Sequence, residues 1–231
     1  MNSLNEEEKR RLVSALQRLI ESGRFLDLGN VHGAPLHQIC PNSPNGMCCI
    51  HNQEVELFLP WHRLYMAQME EELGEALPFW DWTVDKDVPD LWEEIKAPMK
   101  PPVTSICEKK EDWPVPIDKF DKNACISNSN GGKSFVTRNQ NHQMNKDWDK
   151  LRESVRDALG RTDYVQFAKQ IDKVHGLVHD KVRCDMGCLQ TAGYDPVFYL
   201  HHTFLDYLWA YWQVPYSCAI FRCRLGAEIC R

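Results

Sequence analysis

His175 and His179 stand four residues apart within 163–181, a segment whose apolar residues recur at helical spacing. That spacing sets both imidazoles on one face of one helix. Nine histidines occur in the 231 residues, and six of them fall into two groups of three. His32, His51 and His62 lie in the first third; His175, His179 and His202 lie in the last. A fold that uses them together must bring distant helices side by side with their polar faces inward. That is what a four-helix arrangement can do.

The rest of the pattern agrees. Leu4, Leu12, Ala15, Leu16 and Leu19 predict a first amphipathic helix, with Gly23 as its stop. A second helix is expected over Trp61–Leu77, with Leu64, Met69 and Leu73 inward, and further helices over 146–159, 163–181 and 196–212. Between them lie a Gly-, Pro-, Asn- and Cys-rich loop from about Gly29 to Asn52 and a proline-rich stretch from Pro78 to Lys146. The simplest architecture is mainly α: one mostly helical domain over 1–213 with long loops pinned by disulfides, followed by a short Cys-rich tail at 214–231. Cys218, Cys223 and Cys230 lie in that tail.

An i, i+4 histidine pair by itself is more often coincidence than chemistry. The surrounding residues narrow the choice. His175-Gly-Leu-Val-His179 lacks the glutamate of the zinc-protease HExxH signature, so no general base stands where that chemistry needs one. A di-iron carboxylate bundle needs two Glu-x-x-His units, and only Asp172-Lys-Val-His175 approaches one. Ligation by imidazole alone suits copper, and three neutral imidazoles per ion leave positions open for a small molecule. A di-copper site is therefore one reading that spacing and chemistry allow.

Flanking residues add a resemblance. Phe58-Leu-Pro-Trp-His-Arg63 and Pro78-Phe-Trp-Asp-Trp82 resemble the first copper half-site of the tyrosinase, catechol oxidase and molluscan hemocyanin family. Asp195-Pro-Val-Phe-Tyr-Leu-His-His202, continuing through Asp206 to Trp212, resembles its second half-site. The likeness runs from the first helix to about Gln213. It implies a four-helix bundle with two copper ions and dioxygen as co-substrate: His32, His51 and His62 on one copper, His175, His179 and His202 on the other. The second histidine of the His201-His202 pair would be the ligand, leaving His201 a structural role. The family's spacing between the second and third ligands is two residues shorter than that from His51 to His62; a loop tolerates such an insertion, which keeps His51 as the ligand and makes His37 the alternative. His142, in an Asn- and Gln-rich loop, is expected to face solvent. Cys49 resembles the cysteine that the family joins by a thioether to its second ligand, here His51; a disulfide from Cys49 to Cys40 is the alternative.

Family members hydroxylate phenols, oxidise catechols or carry oxygen. Many carry an asparagine just after the ligand matching His175, where it works with a carboxylate and a water on incoming monophenol. Here Gly176 offers no side chain to orient a water. Asp172 stands near the place of the acid, or is an ordinary solvated helix residue. The resemblance thus favours oxidation of o-diphenols to o-quinones, with monophenol hydroxylation weak or absent, over an oxygen carrier or a full tyrosinase. Leu189 matches a residue over the first copper, and Asp180 one at the pocket mouth, where a carboxylate favours amine-bearing over carboxylate-bearing catechols. Family carriers cover their site with a further β domain, and the residues after Gln213 are too few for one, which also favours the enzyme.

Charge and cysteine content bound the setting. A net charge of −6 without a basic stripe argues against a nucleic-acid surface. No apolar run approaches the roughly 20 residues of a membrane span. Ten cysteines suggest an oxidising compartment, although the hydrophilic start Met1–Leu12 carries no signal-peptide apolar region. The expectation is a secreted protein acting on small phenolic partners, its leader outside this sequence.

Overall fold

The computed structural model describes residues 4–33, 55–85, 87–89, 148–183, 185–187 and 191–225. His37, Cys40, Cys49, His51, His142, Leu189 and Cys230 lie outside the described residues, as do the side chains of Cys218 and Cys223. Among the described residues there are six α-helices, one short 3₁₀ turn and no strand. The helices are α1 (Glu6–Glu21), α2 (Arg24–Gly33), α3 (Val55–Leu73), α4 (Trp148–Leu159), α5 (Tyr164–Val182) and α6 (Pro196–Leu225). The mainly α class is as expected.

Helix α1 begins on a capping box. The Asn5 side chain accepts from the Glu7 and Glu8 amides, while Glu8 accepts from the Asn5 amide. Its apolar stripe buries Leu12, Ala15, Leu16, Leu19 and Ile20 against α2 and α3. Gly23, at φ 81°, ends the run as the sequence predicts.

Helix α2 occupies the start of what reads in sequence as a loop. Gly29, Asn30 and Gly33 look like turn residues, yet Gly29 serves a close approach instead. A Cβ there would lie 2.1 Å from the Tyr194 ring, which packs on the bare backbone. The Tyr194 hydroxyl then donates to Asn30 Oδ1 at 2.6 Å. The 3₁₀ turn Ala192–Tyr194 thus docks on α2, and burial pushes the Tyr194 hydroxyl up to about 12.

Helix α3 starts at Val55, ahead of the expected Trp61, and contains Pro60. Proline has no amide hydrogen, so the carbonyl four residues back loses its helical partner. Tyr164 at the start of α5 supplies one: its hydroxyl donates to Glu56 O at 2.8 Å. Helix α3 also corrects one assignment of faces. Leu64 is 73% exposed, because the inward face runs through Phe58, Leu59, His62, Tyr65, Met66, Met69 and Leu73. Two residues beyond His62 is about 200° around the helix.

Helix α5 is capped by Asp163, whose side chain accepts from the Gln166 amide at 3.0 Å, and it packs against α3 and α4. Helix α6 runs through Leu225, well past the predicted end at Trp212, so the backbone stays helical into the segment read as a tail. Arg63 of α3 bonds Asp206 of α6 and lies 3.8 Å over the Trp209 ring, tying the two helices together. The segment after α3 returns to α6 through Trp80 N–H to Leu200 O at 3.1 Å, with Trp80 and Trp82 fully buried. None of the helices among the described residues is long and apolar enough to cross a membrane.

The Gly29 contact makes a direct prediction. Gly29→Ala forces the Tyr194 ring aside and should cost about 1–3 kcal/mol, the usual penalty of overpacking. Thermal or denaturant unfolding measures it; a variant as stable as the parent would show that the turn is not held as described.

Candidate metal centre

The four helices of the bundle each deliver histidine to one place: His32 from the last turn of α2, His62 from mid-α3, His175 and His179 from α5, His201 and His202 from α6. All are buried except His175, whose side chain keeps 14% of its exposure. The ligand-capable atoms of His175, His179, His201 and His202 lie within 4.8 Å of one another.

The other group approaches through rings. His62 stacks on His202, with centroids 4.1 Å apart and planes 11° from parallel, and His62 lies 5.9 Å from His32. Two phenylalanines fill the gaps. Phe58 packs 4.7 Å from both His62 and His175. Phe198 packs 4.6 Å from His32 and 4.1 Å from His202. Each precedes its histidine partner on the same helix, His62 or His202, by four residues.

Hydrogen bonds set the tautomers. His62 Nδ1 is 2.8 Å from Phe58 O, and His179 Nδ1 is 2.6 Å from Met186 O. A carbonyl only accepts, so each Nδ1 carries the proton and each Nε2 keeps its lone pair. His179 Nε2 faces His202 Nε2 at 3.3 Å. Burial, and then the neighbouring imidazoles, hold His201 and His202 well below the ordinary histidine range. Buried neutral imidazoles with a free Nε2 lone pair, as at His62 and His179, are donors that a copper ion takes.

Other expected site residues fall as follows. Asp172 Oδ1 is 3.4 Å from His175 Nδ1, one turn earlier on α5 and 45% exposed. Gly176 lies beside His175 with open space where a Cβ would stand, among the described residues. Asp180 follows His179 directly and is partly buried. The structure therefore brings together His32, His62, His175, His179 and His202, with Asp172 and Gly176 at the edge. His51, Cys49 and Leu189 lie outside the described residues.

Sequence reasoning did not single out Phe58, Phe198 or the tyrosines behind them. The Tyr65 hydroxyl donates to Leu28 O at 2.5 Å and lies 2.8 Å from the Tyr199 hydroxyl. Tyr199 in turn donates to Gly193 O at 3.0 Å. Both phenols are held well above the ordinary tyrosine range, chiefly by burial. The i−4 relation of Phe58 and Phe198 to histidines was the available signal; nothing local announces the tyrosine pair.

Comparison with known proteins decides the family. Residues 22–214 match the family model for the common central domain of tyrosinase. The chain belongs to the tyrosinase family. Its relatives include the tyrosinase of Streptomyces antibioticus, 30% identical over 91% of this chain and 80% of that protein. They also include hemocyanin type 2 unit e of Rapana venosa, 30% identical over 92% of this chain and 52% of that protein. The hemocyanin G-type chain (units Oda to Odg) of Enteroctopus dofleini is 30% identical over 92% of this chain but only 7% of its own length. In structure the chain is similar to a functional unit of octopus hemocyanin, with TM-score 0.65 and 26% identity over 93% of this chain and 52% of that one. This tyrosinase-family chain thus spans a small part of the multi-unit hemocyanins and about half of a single unit.

Histidines buried as neutral rings imply a pH dependence. The unfolded chain takes up protons at these positions near pH 6.5, whereas the folded chain resists them to lower pH. The stability gained by keeping His201 and His202 neutral is whole above that value and is lost as pH falls below it, by up to about 1.4 kcal/mol per pH unit for each histidine. Melting temperatures of metal-free protein should therefore drop from pH 7.5 to pH 5; a flat profile would contradict the burial of these rings.

Proposed function

We propose that this chain is a copper oxidase that uses dioxygen to convert o-diphenols to o-quinones, with little or no hydroxylation of monophenols. Two copper ions would be held by His32, His51 and His62 and by His175, His179 and His202. When bound, the copper pair supplies dioxygen binding and the two-electron oxidation of the diphenol. The observation that carries this reading is the opening at His175. Among the described histidines of the cluster it is the least buried, its side chain keeping 14% of its exposure, and Gly176 beside it presents no side chain.

The chain's own residues have defined tasks in this scheme. Carbonyls of Phe58 and Met186 hold His62 and His179 with Nε2 turned to the metal side. Phe58 and Phe198 exclude water around the rings. Asp172, half exposed and 3.4 Å from His175 Nδ1, would steady that ring and would serve as the acid that handles a substrate proton. Asp180 would favour amine-bearing catechols, and Leu189 would cover the first copper. Cys49 would tether His51 through a thioether. Small phenols and dioxygen are then the partners, and the cysteine content favours an extracellular setting.

The second reading, a reversible oxygen carrier, is favoured by the likeness to the octopus hemocyanin unit. One experiment separates the two: copper-loaded protein is tested for oxygen uptake and for quinone from catechol. Quinone production supports the oxidase; reversible oxygen binding without quinone supports the carrier; a chain that takes up no copper removes both.

Two further outcomes follow from named residues. Gly176→Asn fits the open space and should add or raise monophenol turnover while catechol turnover persists, as read by the lag and rate of quinone formation from a monophenol. Dopamine should show a higher kcat/KM than 3,4-dihydroxyphenylacetate, and equal values would remove the role given to Asp180.

A further inference from the structure

Four imidazoles, not three, come within ligand distance of one another on α5 and α6. His201 is the extra one. It is fully buried, lies parallel to His175 at 5.4 Å with 2° between the planes, and its Nε2 has no hydrogen-bond partner among the described residues. By position alone it could compete for a metal as well as its neighbours do.

One hydrogen bond distinguishes it. Trp82, from the segment that follows α3, points its Nε1 at His201 Nδ1 at 3.0 Å. Indole nitrogen is a donor only, so Nδ1 of His201 must accept. A doubly protonated ring has no acceptor and cannot face this donor. A neutral ring that accepts at Nδ1 carries its proton on Nε2, and an N–H nitrogen has no lone pair for a metal. Turning the ring over would set a carbon against the indole N–H and strand a donor in the core, which costs about 1–3 kcal/mol. His62 and His179 show the opposite arrangement: their Nδ1 atoms face carbonyls, which frees Nε2.

We infer that the Trp82–His201 hydrogen bond locks His201 as its Nε2–H tautomer and so removes it from coordination, selecting His175, His179 and His202 as the ligands. Trp82 is then a positioning residue that works on the metal site through another side chain, and His201 is a flat support for His175. The inference rests on the copper reading above for the identity of the ligands, but the tautomer itself belongs to the metal-free protein.

The test uses the whole chain. In metal-free protein with ¹⁵N-labelled histidine, two-bond ¹H–¹⁵N correlations should show His201 protonated at Nε2, and in Trp82→Phe that single pattern should give way to a mixture. His201→Asn keeps an acceptor near the Nδ1 position but has no Nε2. It should bind as much copper per chain as the parent at saturating metal, with affinity weakened by about 10–100-fold at most, as for loss of an outer support. His202→Asn should lose copper from the chain. Protonation of His201 at Nδ1, or copper loss in His201→Asn as large as in His202→Asn, overturns the inference. Should Trp82→Phe fail to fold, the parent spectrum and the asparagine pair still decide it. A parent chain that takes up no copper overturns the copper reading, and the tautomer measurement then decides the lock alone.

Discussion

Everything in this fold is arranged around the burial of imidazole rings that must stay uncharged. A polar ring taken out of water is costly unless its nitrogens are matched, and a charged one costs far more. At His62, His179 and His201 the bundle meets this by giving Nδ1 a partner of fixed polarity. Carbonyls at Phe58 and Met186 can only accept, and the indole of Trp82 can only donate. Two of these contacts are local, Phe58 to His62 within α3 and Met186 to His179 just past α5, and the third, Trp82 to His201, joins residues 119 positions apart. Phe58 and Phe198 pack against the rings, and Gly176 leaves open space beside His175.

The irregular features of the helices serve the same end. Pro60 removes a helical hydrogen bond just before His62, and Tyr164 restores it from α5. The exchange ties the start of α5, the helix of His175 and His179, to the helix of His62. Gly29 and Gly193 allow the turn before α6 to lie on α2. A Cβ at Gly193 would fall 2.9 Å from His32 Cβ. Small residues at these two places thus let the backbone carrying His202 come close to the backbone carrying His32. Neither glycine is required by a turn conformation; each is required by contact.

Much of this was legible in the sequence, and the gaps have physical causes. The helical class and the pairing of His175 with His179 follow from periodicity, and the approach of His32, His62 and His202 to that pair follows from two long motifs. Helix α2 was hidden because Gly29, Asn30 and Gly33 are helix-weakening by propensity, and only the Tyr194 ring shows why they stand there. The early start of α3 was hidden because Pro60 removes a helical hydrogen bond, and its repair by Tyr164 comes from 108 residues away. Leu64 faces outward because the inward stripe is set by His62 and its aromatic neighbours rather than by leucines. The tyrosine pair Tyr65–Tyr199 joins residues 134 positions apart, and no local pattern encodes such a contact.

The ring of His62 lies flat on that of His202, one from each half of the centre. Two stacked aromatic rings are nearly incompressible, because packed interiors yield little. The stack therefore acts as a gauge block between α3 and α6. Next to it along both helices, the Arg63–Asp206 bond and the Arg63–Trp209 contact clamp the same pair from the outside. Clamp and block together set the width of the chamber by contact rather than by tension, so that width is a built dimension of the bundle.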